Sequence, residues 1–170
     1  MGRATWRAEP LEQEHHRIPR EAVVGGSKEG PESLSGQRFR GVEIVDAHGN
    51  PLEEFDEIAA GIFIEEKSAL GFGHMHPRTG QPVQTIAQWA EKQIFQKTVV
   101  RIDNLQRAAA TRPAPGGSPS IPTLQAILGI RTFQFKIMAT APEIQHVVQA
   151  QLTRLRARFP AWEFSVIFGL

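Results

Sequence analysis

The fold prediction rests on the segment Gly61-Ile62-Phe63-Ile64-Glu65-Glu66-Lys67, which follows Glu54-Phe55-Asp56 in the sequence. Apolar residues begin the segment and charged residues end it, which is typical of a buried strand that ends at a polar site. Successive side chains of a strand point to opposite faces, so Glu65 and Lys67 share one face and Glu66 points to the other. The segment therefore predicts a strand that places a carboxylate beside a lysine.

A second carboxylate, Asp56, lies one short strand upstream. Neighbouring strands are about 5 Å apart, so carboxylates on two strands can reach one ion. Mg²⁺ prefers oxygen ligands, commonly one or two carboxylates with water and phosphate. We predict that Asp56 and Glu65 bind Mg²⁺, for which Mn²⁺ can substitute, and that Lys67 orients a water or stabilises developing negative charge. Glu57 competes with Asp56 as the first ligand, and the sequence leaves that choice open.

Residues 1–37 are predicted to be a flexible leader or linker, because proline and glycine break any periodicity there. The rest of the chain predicts strands and helices. A helix between strands favours a parallel crossover, so we expect an α/β fold with a mixed sheet flanked by helices. A loop is expected over 111–122, and a capping box at Thr140–Glu143 is expected to begin the last helix. Strands are expected at 39–46, 52–58, 62–68, 131–139 and 163–168, and helices at 85–109 and from the capping box to Pro160.

Composition indicates which classes of protein this sequence can belong to. The 170 residues suggest one domain, with 41% apolar and 22% charged residues. The absence of cysteine excludes disulfides and thiolate chemistry. No run approaches the roughly 18 apolar residues of a membrane helix, and the polar N-terminus is not a secretory signal peptide. Residues 1–83 carry 9 Lys/Arg against 14 Asp/Glu, whereas residues 84–170 carry 10 against 4, so the basic half could contact phosphate.

Together, Glu54-Phe55-Asp56 and the segment from Gly61 to Ala69 resemble the core of the PD-(D/E)xK, or restriction-endonuclease-like, nuclease superfamily. In particular they resemble the nuclease domains at the C-termini of bacterial polymorphic toxins and contact-delivered effectors. The helix that follows, with Gln88-Trp89-Ala90-Glu91-Lys92-Gln93, is similar to theirs. The resemblance covers about residues 39–168 and departs from the family at Phe55, where a proline often precedes the first acid.

The resemblance implies a restriction-endonuclease-like core with the order strand-strand-strand-helix-strand-helix-strand, and a nuclease-like domain over 38–170. It implies Asp56 as the first metal carboxylate, with Glu65 and Lys67 as the acid and lysine of the (D/E)xK element. It also implies a polar residue on the following helix, for which Gln93 and Lys97 are the candidates.

The implied activity is Mg²⁺-dependent cleavage of DNA by an antibacterial toxin. Such a toxin would be exported by a specialised system, act in the cytoplasm of a target cell and require a cognate immunity protein. An RNase or nickase on the same fold, or a non-catalytic module that binds nucleic acid or protein, is the alternative. His74 and His76 could instead chelate Zn²⁺, but no third ligand is evident from spacing.

Overall fold

The computed structural model describes residues 34–69, 72, 75–80 and 83–169. Most of the leader predicted over residues 1–37 therefore lies outside the described residues. The strands are β1 (Arg38–Val45), β2 (Pro51–Ala59), β3 (Ile62–Lys67), β4 (Ala110–Pro113), β5 (Thr132–Ile137) and β6 (Glu163–Phe168). The helices are α1 (Ile86–Ala90), a π-helical segment (Glu91–Gln96), α2 (Lys97–Arg107), α3 (Leu124–Leu128) and α4 (Pro142–Arg158).

The strands form one mixed sheet in the order β4-β1-β2-β3-β5-β6. Strands β1, β2 and β3 form an antiparallel meander. Strand β5 pairs in parallel with β3, and β6 pairs in parallel with β5, because intervening helices return the chain to the starting edge. The prediction of an α/β fold with a mixed sheet flanked by helices is confirmed. Within the described part of the chain, no helix is both long and apolar enough to span a membrane.

A two-residue turn joins β2 to β3. Both of its residues have positive φ, 49° at Ala60 and 75° at Gly61, which is the condition for the type I′ turns that match the twist of a hairpin. The turn sets a register in which Ile58 lies opposite Phe63 and Glu57 lies opposite Ile64. This register carries the acidic end of β2 towards the charged end of β3.

Aromatic rings fill the core beside this hairpin. The ring of Phe63 stacks on Phe55 at 4.4 Å and on Phe133 at 4.9 Å between centroids, and Trp162 stacks on Phe133 at 5.4 Å. Each of the three phenylalanine side chains is fully buried. Burial of a large apolar side chain contributes about 1.5–3 kcal/mol, so this cluster holds β2, β3 and β5 firmly around the polar end of the sheet.

The helix predicted over 85–109 is confirmed as a continuous helical stretch from Ile86 to Arg107, with the π-helical segment in its middle. Thr85 begins it with a capping box, in which the Thr85 hydroxyl accepts from the Gln88 N–H and the Gln88 side chain accepts from the Thr85 N–H. The capping box predicted at Thr140–Glu143 is wrong. Ala141 is the N-cap of α4 and Pro142 occupies the first turn, so the helix begins there without a side-chain cap.

The loop predicted over 111–122 is also wrong in part. Its first residues belong to β4, which pairs antiparallel with β1 through Val42 and Pro113. A proline is tolerated because β4 is an edge strand, where an N–H can remain unpaired. The strand has four residues and no alternating apolar pattern, so periodicity could not reveal it.

Candidate active site

Three predicted side chains meet at the charged end of β3. The Nζ atom of Lys67 lies 2.6 Å from Oε2 of Glu65 and 3.6 Å from Oδ2 of Asp56. The Asp56 Oδ2 atom also accepts a hydrogen bond of 3.0 Å from the backbone N–H of Glu66. The hairpin thus brings both predicted metal carboxylates to one ammonium group.

The register of the hairpin distinguishes Asp56 from Glu57. Opposing residues of a strand pair share a face, so Glu57 lies on the face of Ile64, away from Glu65. Its buried carboxylate is instead contacted by two arginines of β1, Arg38 at 3.3 Å and Arg40 at 3.5 Å. The acid beside Lys67 is therefore Asp56.

Strand phase likewise separates Glu65 from Glu66, as predicted. Glu65 is fully buried, whereas the side chain of Glu66 is 57% exposed and lies 3.6 Å from Lys136 Nζ. Glu66 stands at the rim of the cleft described below and is turned away from the Glu65–Lys67 pair.

Arg101 belongs to this site and was not predicted from the sequence. It lies on α2, it is buried, and its Nη1 atom is 2.7 Å from the same Oε2 atom of Glu65 that Lys67 contacts. Its Nε atom lies 3.2 Å from Oε1 of Glu53 on β2. The missed signal was helical spacing, because Gln93, Lys97 and Arg101 recur every four residues.

Burial and charge act in opposite directions on Glu65. Burial raises the pKa of this carboxyl, because it removes water from the ionised form, while Arg101 and then Lys67 lower it. The Oε1 atom of Glu65 is buried and accepts no hydrogen bond from the described residues. A buried acceptor without a donor is costly, so this oxygen lacks compensation among the described residues.

A cleft of about 510 Å³ opens over these groups. Asp56, Glu66 and Lys67 line the cleft from the sheet. Arg101 lines it from the long helix, as do the two candidates Gln93 and Lys97. Solvent enters the cleft, since the side chain of Asp56 is 44% exposed. The cleft combines the carboxylates of Asp56 and Glu66 with three cations, which suits an anionic ligand. Glu65 is fully buried and does not line the cleft, but it contacts Lys67 and Arg101, which do.

The donor set for a metal is small. Within the part of the chain that the structure describes, no three His, Cys, Asp or Glu residues cluster as a metal site. Asp56 and Glu65 supply two carboxylates, which is the number that Mg²⁺ commonly takes from a protein. His74 lies outside the described residues, and the Nδ1 atom of His76 accepts from the Arg78 N–H at 3.3 Å.

Comparisons of this chain with protein families, with curated proteins and with solved structures gave no match.

Proposed function

We propose that this protein is a Mg²⁺-dependent endonuclease that hydrolyses phosphodiester bonds of DNA. The observation that carries the proposal is the convergence of Asp56 and Glu65 on the Nζ atom of Lys67, at 3.6 and 2.6 Å. Asp56 and Lys67 line a cleft that solvent enters, and Glu65 is buried beside Lys67. Hydrolysis of a phosphodiester requires an activated water and relief of negative charge on the phosphate. Two carboxylates and an ammonium group at one point meet both needs.

Asp56 and Glu65 are the residues that would hold the ion. The unpartnered Oε1 atom of Glu65 and the exposed carboxylate of Asp56 are hard oxygen ligands of the kind that Mg²⁺ prefers. Mn²⁺ accepts the same oxygen ligands and would substitute. When bound, the ion supplies a water of lowered pKa and a Lewis acid for the phosphate.

The cations of the chain bind and orient the phosphate. Lys67 is fixed between two carboxylates, so its ammonium group is preorganised to orient the attacking water or to stabilise the charge that develops on phosphorus. Arg101 holds Glu65 in place through the shared Oε2 atom. In the reaction, the attacking water gives up one proton to solvent and its oxygen forms a bond to phosphorus. The bond from phosphorus to a sugar oxygen breaks, and the leaving oxygen takes up a proton.

The architecture supports the same proposal. Three strands in a meander and a long helix come first, and a parallel strand, a second long helix and a last parallel strand complete the order that the family resemblance implies. The edge strand β4 and the short helix α3, which that order does not contain, lie between the first long helix and β5. The assignment of this fold to the restriction-endonuclease-like group is part of the proposal.

The test is cleavage of supercoiled plasmid DNA by the purified protein. We expect nicked and linear products with Mg²⁺ or Mn²⁺ and none with EDTA. Lys67→Gln should lower the rate by roughly 10²–10³-fold, as loss of one preorganised donor does, whereas Glu66→Gln, the matched control on the next residue, should retain activity. Thermal melting would show that each variant is folded. Full activity of Lys67→Gln, or cleavage that survives EDTA, would refute the proposal.

The same incubation with RNA and with nicked circles distinguishes the alternatives. Cleavage of RNA alone would assign this chemistry to an RNase, and conversion of supercoiled DNA only to nicked circles would indicate a nickase. DNA binding without metal-dependent cleavage would indicate a non-catalytic module.

The biological role proposed from the family resemblance is that of an antibacterial toxin. It would be exported by a specialised system, act in the target-cell cytoplasm and be neutralised by an immunity protein in the producing cell. Expression of the chain in a bacterium without such a protein should stop growth, and Lys67→Gln should restore it. Normal growth with the unmodified chain would contradict the toxin role and leave the nuclease proposal to the plasmid assay.

A further inference from the structure

The π-helical segment Glu91–Gln96 changes which side chains share a face of the long helix. The backbone N–H of Lys97 donates to the carbonyl of Lys92, five residues back. In an α-helix these two residues would lie about 140° apart around the axis, whereas the wider turn of a π-helix brings residues five apart closer together around the axis. A side-chain contact of the same span, from Gln96 Nε2 to Glu91 Oε1 at 3.4 Å, follows the same alignment.

This alignment builds a second cleft beside the candidate active site. The second cleft has a volume of about 260 Å³ and is lined by Lys92, Gln96, Lys97, Val100 and Glu53. Lys97 lines both clefts, so the two are neighbours along one surface. The second cleft therefore adjoins the first at Lys97.

The charge of the second cleft is positive. Lys92 and Lys97 are exposed, and neither forms an ion pair with any residue that the structure describes. The one acid of the lining, Glu53, lies 3.2 Å from Arg101, which also contacts Glu65, and Glu53 forms no ion pair with either lysine. Two lysines without acidic partners remain, with aliphatic surface from Val100 and from the lysine stems between them.

We propose that this second cleft binds a backbone phosphate of the nucleic acid, next to the phosphate at the candidate active site. The inference rests on the proposed function, since it takes the bound chain to be the substrate. Ammonium groups neutralise phosphates and release counterions, and an aliphatic wall fits the sugar between two phosphates. The π-helical turn is the feature that makes the site, because it places both lysines over one cleft.

The test measures binding without cleavage. A short fluorescein-labelled duplex, and a single strand of the same sequence, are titrated with the full chain in EDTA over a series of NaCl concentrations, and fluorescence anisotropy gives the affinity. Lys92→Gln and Lys97→Gln should each reduce the slope of log K against log salt by about 0.9 on the duplex or about 0.7 on the single strand. The double variant should lose about twice as much.

Arg107→Gln is the matched control. It removes the same charge from an exposed position on α2, about 15 Å along the helix from Lys97, and should leave the slope unchanged. An unchanged slope in the double variant, or an equal loss in Arg107→Gln, would overturn the inference and leave the lysines to a different partner.

The two proposals fail separately. A salt slope that depends on Lys92 and Lys97, without Mg²⁺-dependent cleavage, would refute the proposed nuclease activity and still support a phosphate site at the second cleft. Cleavage without a lysine-dependent slope would refute only the second cleft.

Discussion

Replacement of Arg101 by methionine is the sharpest test of how the site is held together. The change removes the guanidinium group from Glu65 and keeps most of the aliphatic stem. Both side chains are almost completely buried, so water screens the pair little. Removal of one partner of a buried ion pair costs roughly 3–5 kcal/mol, because the other charge is left uncompensated. Lys67 still contacts Glu65 at 2.6 Å, so we expect the low end of that range, about 3 kcal/mol of unfolding free energy.

The cost should depend on pH. Burial raises the native pKa of Glu65 above its ordinary value of 4.5. Between the ordinary and the native pKa, the native state therefore binds more protons than the unfolded state. The contribution of Glu65 to the free energy of unfolding consequently falls as pH rises through this range. Loss of Arg101 raises the native pKa of Glu65 further, so the contribution of Glu65 to the free energy of unfolding continues to fall up to a higher pH. The difference between Arg101→Met and the unmodified protein should therefore be largest at neutral pH and should shrink as pH falls towards 4.5, because protonation of Glu65 removes the charge that Arg101 compensates.

Urea unfolding in EDTA, followed by tryptophan fluorescence, to which the buried Trp89 contributes, measures these free energies. Arg107→Met, an exposed change on the same helix, should stay within about 0.5 kcal/mol of the unmodified protein. A cost below about 1 kcal/mol at neutral pH, against the roughly 3 kcal/mol expected of a buried pair, would refute the reasoning. A cost that does not change with pH would refute the role given to Glu65.

Two further predictions concern the scaffold around the site. Arg154→Gln should lower the unfolding free energy by up to about 1 kcal/mol at neutral pH, because Arg154 pairs with Glu91 at the start of the π-helical segment. The hydrogen bond from Arg154 lowers the pKa of Glu91 below its ordinary value of 4.5, so the difference should disappear as pH falls through that lowered pKa; urea unfolding that shows a constant difference would contradict this. Gly117→Ala should lower the melting temperature more than Gly49→Ala. A Cβ at Gly117 would lie 2.5 Å from the carbonyl oxygen of Gly41 in β1. A Cβ at Gly49 would meet no atom within 4 Å, so that substitution costs only the strain of its φ of +80°, about 1–2 kcal/mol. Equal melting temperatures of the two variants would contradict the backbone clash.

Local patterns predicted most of the sheet. The strand at Glu163–Phe168 begins and ends where it was predicted, and β3 differs from its predicted bounds by one residue, because alternation and turn residues act over a few positions. The prediction failed at β4, whose pairing with β1 depends on residues about seventy positions away. It failed also at α4, where Pro142 rather than a side-chain cap begins the helix.

The sequence by itself determined the opposite phases of Glu65 and Glu66 and the shared face of Glu65 and Lys67. These follow from the two-residue period of a strand, which is a local property of the backbone.

The tertiary structure alone decided which acid completes the site and what holds it. The turn and register of the hairpin selected Asp56 over Glu57, and the packing of α2 on the sheet brought Arg101 to Glu65 across 36 positions of sequence. The π-helical turn aligned Lys92 with Lys97 through a hydrogen bond that α-helical periodicity does not contain. The choice of Asp56 and the contact of Arg101 with Glu65 depend on where separate elements of the backbone meet, and spacing within one element does not specify the partner. The alignment of the two lysines depends on a local departure from the α-helix.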